Sequence, residues 1–154
     1  MSSLCVYKMD FSTIIYSFTK YEVMEGDKKA RNFRNYKVWQ DAINYATEIY
    51  NVTNGMPWFE KKGLCDQLQR AVVSISSNIA EGCAKPSDVE FAKFLHTALG
   101  SSFEVETQLL IAKNVGYIAE DIYECLRKTN VDIQRQLSAL LSSLQERPLV
   151  RRSK

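Results

Sequence analysis

Between Trp39 and Leu144 the apolar residues of this chain return every three or four positions in four separate runs, each ended by glycine, proline or a polar cluster. That interval puts them on one side of a helix, since a strand would need an interval of two. In the first run Trp39, Ala42, Ile43, Ala46, Ile49, Tyr50 and Thr53 share a sector. Asn35 can cap its start, and Asn54-Gly55 followed by Pro57 closes it. The second run extends from about Glu60 to Glu81 with Leu64, Leu68, Val72, Ile75 and Ile79 inward and Gly82 as its C-cap. The third opens at KPSDVE, where Ser87 and Glu90 stand in capping-box relation and Asp88 favours the positive end of the helix dipole. Its core face is Phe91, Phe94, Leu95, Ala98, Ser102, Val105, Leu109 and Ala112, and Gly116 stops it. The fourth, from about Ala119 to Leu144, turns Ile122, Cys125, Leu126, Thr129, Ile133, Leu137, Leu140 and Leu144 inward. Short links force neighbouring helices to run antiparallel. The expected fold is all-α, an antiparallel up-down-up-down four-helix bundle over 33–145.

A chain of 154 residues fits one domain, and 45% apolar with 25% charged residues is an ordinary globular balance. The net charge of +2 conceals an uneven distribution, because Tyr36 to Gln145 is mildly acidic while both flanks are basic. Residues 146–154 form a basic tail. Residues 1–32 carry no sustained period and read as a poorly ordered extension, with Met24 as an alternative start of translation; a short β-prone arm packing on a neighbouring subunit is the competing reading. Cys5, Cys65, Cys83 and Cys125 lie far apart, without a CxxC pair and with His96 as the sole histidine, which argues against a metal site. With no signal peptide and no apolar run of spanning length, the expected compartment is a reducing cytoplasm, and no membrane association is expected.

The segment RAVVSISSNIAEG, Arg70 to Gly82, sets a polar stripe of Arg70, Ser74, Asn78 and Glu81 roughly opposite its aliphatic face. A catalytic serine would need a base and an oxyanion site, and His96 lies on another helix, away from that helix's core. Glu104 and Glu106 diverge around their helix and cannot share a proton. The glycines stand singly, so no phosphate loop is present. The stripe reads as an assembly or inter-helix element with Glu104 as the expected partner of Arg70. No enzyme activity, cofactor, metal or small-molecule substrate is expected.

The segments YKVWQDA, QLQRAVVSISSNIAEG and EFAKFLHTALGSSFEVETQLLIAKNVGYI resemble successive signature segments of the bacterial four-helix-bundle proteins encoded in intervening sequences of 23S ribosomal RNA genes. The resemblance covers about Phe33 to Leu144. The chain departs from the common pattern at Ser76, where proline is frequent, and at Cys83-Ala84, where an aromatic-glycine pair often follows the motif. What the resemblance implies is a small cytoplasmic bundle, a homo-oligomer of five copies and no enzyme activity, with RNA association suspected from where such genes lie. A more distant likeness extends to the accessory bundle proteins of diversity-generating retroelements.

Two sets of surface residues stand out. Apolar residues off the expected core faces would need cover from another copy: Leu99, Phe103 and Leu110 on the third helix, and Val38, Tyr45 and Val52 at heptad steps on the first. Arg70, Asn78 and Glu81 join them as the expected oligomer interface. Gly100, inside the third helix, suggests close approach by another backbone. Any nucleic acid would meet Lys28, Lys29, Arg31 and Arg34 before the bundle and Arg147, Arg151, Arg152 and Lys154 after it, gathered at one rim by the even number of helices. Two functions are carried forward: an oligomeric RNA- or ribonucleoprotein-associated adaptor, and a scaffold that binds protein alone.

Overall fold

The computed structural model describes residues 31–145. Four helices carry the described chain: α1, Lys37–Asn54; α2, Leu64–Cys83; α3, Asp88–Asn114; and α4, Glu120–Gln145. Short 3-10 turns at Phe33–Asn35 and Trp58–Glu60 precede α1 and α2. Each helix packs on its neighbours in sequence, and α1 also closes against α4, so the four surround one core.

Side-chain pairs fix the antiparallel sense. Gly82 near the end of α2 faces Phe91 and Phe94 near the start of α3, while Ser74 meets Ser101 further along both helices at 2.9 Å. Thr53, at the end of α1, takes a hydrogen bond from Gln69 at 2.8 Å on the first turns of α2. The links 84–87 and 115–119 are too short to return the chain along helices of this length, which rise about 1.5 Å per residue.

The ends of the helices have local causes. Ser87 caps α3 as the sequence predicts, accepting from the Glu90 backbone N–H at 3.1 Å. Its hydroxyl also donates to the Glu90 carboxylate at 2.7 Å. At the far end Gly116 has φ of 80°, and the N–H groups of Gly116 and Tyr117 reach back to the carbonyls of Lys113 and Ala112 at 2.9 and 2.8 Å. This is the six-to-one and five-to-two pattern that closes a helix through a left-handed glycine. α2 begins at Leu64 and not at Glu60, because Glu60 lies in the preceding turn and its carboxylate accepts from the Leu64 N–H at 3.1 Å. Asn35 does not cap α1; the residue at that cap is Tyr36, and Asn32 caps the short turn before it.

Gly82 is not a C-cap. It is buried within the last turn of α2, where an added Cβ would lie 2.7 Å from a Phe91 ring carbon and 2.8 Å from the Phe94 Cβ. The missing side chain is what lets the two helices approach. Beside that corner Arg31 donates to the Lys85 carbonyl at 2.8 Å, pairs with Asp88 and lies 4.8 Å from the centre of the Phe91 ring.

On α1 the core face is rotated from the expected one. Val38, Ala42, Tyr45, Ile49 and Thr53 are buried, whereas Ile43 and Tyr50 are more than 40% exposed. Val38 and Tyr45 are therefore core residues, not part of an oligomer interface. The helix is apolar over a broad arc, and only packing against α2 and α4 decides which part of that arc is covered. The same holds for α4, where Tyr123, Leu126, Asn130, Ile133, Leu137, Leu141 and Leu144 are buried and Ile122 and Cys125 are exposed. Asn130 escapes an apolar-period reading because it is polar. Fully buried, it donates to the Ser102 carbonyl of α3 at 2.9 Å.

This packing makes two stability effects measurable. Gly82→Ala gains about 1 kcal/mol of helix propensity, but overpacking at such a position costs about 1–3 kcal/mol. Against Phe94 Cβ, held by its own helix backbone, overpacking should dominate, so urea unfolding should show a net loss; a stabilised variant would remove Gly82 from its assigned role. The Tyr45 hydroxyl is buried without a hydrogen-bond partner among the described residues. Since an unmade buried hydrogen bond costs about 1–3 kcal/mol, Tyr45→Phe should unfold at the same or a higher urea midpoint. A clear drop would mean that the hydroxyl is satisfied in solution.

Candidate interface surfaces

The polar stripe on α2 lies partly in the groove between α2 and α3. The Asn78 amide donates to the Ser74 carbonyl and hydroxyl at 2.8 and 3.0 Å, and Ser74 meets Ser101. Asn78 is half-buried, whereas Arg70 and Glu81 are exposed. Arg70 pairs with Asp66 one turn earlier at 3.1 Å, and Glu104 instead accepts from Gln108 at 3.0 Å, so the expected Arg70–Glu104 pair is not formed. The stripe thus divides into an inter-helix hydrogen-bond patch and an exposed charged margin. Alongside it, Tyr50, Val73 and Ser77 help to line a shallow hollow of about 290 Å³.

α3 is apolar on a second side. Its inward face, from Phe91 through Leu95, Ala98, Val105 and Leu109 to Ala112, is buried as the sequence predicts. On the outside Phe103 is 52% and Leu110 41% exposed, while Leu99 is half-buried against the core. His96, Gly100, Phe103, Thr107 and Leu110 are all exposed and recur at alternating steps of four and three. That spacing is the seam along which two helices can interdigitate. A Cβ on Gly100 would meet nothing within 4 Å. No close backbone approach occurs there among the described residues.

The two ends of the bundle differ in chemistry. Arg31 and Gln145, the outermost described residues, lie at the same end as the link between α2 and α3. Of the cations expected to meet phosphate, Arg31 is already held by Asp88, the Lys85 carbonyl and Phe91. Arg34 is exposed, with its guanidinium 4.5 Å from the centre of the Phe33 ring. Lys28, Lys29, Arg147, Arg151, Arg152 and Lys154 lie outside the described residues, as do residues 1–30 of the expected extension over 1–32 and the basic tail.

At the opposite end Trp58 and Phe59, 80% and 59% exposed, form a row of rings with Tyr117. Adjacent centres are 6.1 and 6.2 Å apart, with edges directed at faces. The Tyr117 hydroxyl donates to Glu60 at 3.1 Å and ties the α1–α2 link to the α3–α4 link. Hydrophobic periodicity does not find this cluster. Its signal in the sequence is PWFEKK, two large aromatics beside proline in a connecting segment with no periodic partner.

Among the described residues the two buried thiols are not activated. Burial pushes the Cys83 thiol up to about 11, against a smaller opposing effect of Arg31, and also raises Cys65, so neither offers an activated thiolate. Among the described residues no cluster of three His, Cys, Asp or Glu side chains is placed to hold a metal ion. No described helix is long and apolar enough to cross a membrane.

Comparison with curated proteins gives no match. Among solved structures, the chain is similar to a protein of unknown function from the S23 ribosomal protein family of Bacteroides thetaiotaomicron. The two are 25% identical with a TM-score of 0.63, over 68% of this chain and 97% of that one. Residues 34–139 match the family model described as 23S rRNA-intervening sequence protein, which takes in all of α1 to α3 and most of α4. The match thus spans most of the four-helix core, and the chain belongs to the 23S rRNA-intervening sequence protein family.

Proposed function

We propose that this protein is a non-enzymatic bundle that assembles with copies of itself and serves as an adaptor associated with RNA or ribonucleoprotein. The observation that carries the reading is the second apolar side of α3. Phe103 and Leu110 are left uncovered by the described helices, and Gly100 between His96 and Phe103 leaves room for another backbone. Large exposed apolar residues at coiled-coil spacing favour burial against a copy of the same surface. The assembly number of five, the RNA association and the cytoplasmic setting come from the family resemblance.

RNA binding would fall to the basic flanks. Both join the bundle at the same end, so assembly multiplies their charge at one rim, whereas the bundle body is slightly acidic. A scaffold binding only protein is the competing reading, favoured by that same acidic body.

Phe103→Glu should move the particle to a smaller species in light scattering at micromolar concentration while leaving helix content intact. A wild-type protein that is monomeric under these conditions overturns the assembly reading. Deleting Glu146 to Lys154 should weaken RNA binding and flatten its salt dependence, by about 0.7 in log K per decade of salt for each single-strand phosphate that the tail no longer neutralises. An unchanged slope in a normally assembled truncation would show that the tail does not meet RNA.

A further inference from the structure

We propose that the aromatic end of the bundle, remote from the basic flanks, binds single-stranded nucleic acid, with bases stacking on Trp58 and Phe59 and phosphates meeting Lys61 and Lys62. It rests on the RNA-associated reading for its ligand class but on different residues. Trp58 is 80% exposed, at a place where no period or core packing demands a large ring. An edge-to-face row engages only one face per pair, and Trp58 and Phe59 remain largely exposed, where an open indole or phenyl face accepts any base. The row is also held in place. Phe59 packs its ring on Tyr117, and Tyr117 is fastened to Glu60, whose other carboxylate oxygen accepts from the Leu64 N–H.

Charge favours the same ligand. Lys61 and Lys62 follow the rings directly, are exposed, and are ion-paired with no described residue. Two of the neighbouring carboxylates are engaged, Glu60 as above and Glu120 with Lys113 at 3.1 Å. A flat anionic bilayer pressed onto this end would also meet the exposed Asp121 at the start of α4. A single strand can instead follow the rings and the two lysines.

The test uses the full chain and a fluorescein-labelled oligouridylate of about twelve nucleotides, within the usual site size for stacking proteins, read by anisotropy. Trp58→Ala should weaken binding about five- to 140-fold, with particle size and unfolding midpoint unchanged. Trp58→Phe should restore most of the affinity, because the aromatic face is kept. Replacing Lys61 and Lys62 with Gln should flatten the salt slope by about 1.4 in log K per decade, the effect of two single-strand phosphates. Affinity unchanged in Trp58→Ala overturns the proposal. If the same variant loses binding only when Glu146 to Lys154 is also deleted, the aromatic end is likewise rejected as the main site and the flank reading stands. Conversely, weakened binding in Trp58→Ala with the truncation unaffected supports the aromatic end and rejects the flanks. No binding of the oligouridylate by the full chain rejects both, and Trp58-dependent binding to phosphatidylserine vesicles without oligouridylate binding overturns the proposal in favour of lipid.

Discussion

The close approach of α2 to α3 at Gly82 is the constraint on which most of the architecture depends. With no Cβ there, Phe91 and Phe94 pack directly on the backbone of α2. The helices then diverge little enough for Ser74 and Ser101 to meet about two to three turns away. The corner that results also receives Arg31, whose guanidinium spans the Lys85 carbonyl, Asp88 and the face of Phe91. One small residue thereby sets how closely the two helices meet beside the point where the described chain enters the bundle.

Polar groups inside the core set the remaining register. Asn130 is fully buried and directs its amide to the Ser102 carbonyl, so sliding α4 along α3 would strand a buried donor. Such a penalty is steep compared with the small net gain of an average hydrogen bond. Gln136 donating to Asp41 at 2.7 Å does the same, at a partly buried site, between α4 and α1. Apolar packing accounts for the existence of the bundle, and these few hydrogen bonds account for its alignment.

The candidate surfaces are legible in the sequence to unequal degrees. Phe103 and Leu110 can be found there because the inward face of α3 is so regular that leftover apolar residues are conspicuous. Periodicity misplaces Val38 and Tyr45 because α1 is apolar over a wide arc, and a period gives a direction only relative to the helix itself. Arg70 pairs with Asp66, one turn away, and not with Glu104 on another helix, since a local pair needs no particular helix register. Trp58 and Phe59 lie beyond the reach of any period. A non-periodic link carries no prediction of burial, and the meeting of Phe59 with Tyr117, 58 residues apart in sequence, requires two separate links to come to the same end of the bundle.

By itself the sequence determined the number of helices, their class, the capped start of α3, its stop at Gly116, and the identity of most core positions on α2 and α3. These depend on local chemistry: hydrophobic period, a serine able to accept an N–H, and a glycine able to take positive φ. Only the tertiary structure decided how α1 and α4 are rotated, why Gly82 must be small, which charges are already paired, and which rings stand together in water. Each of those is a relation between segments distant in the chain, and its energy exists only once the helices have packed.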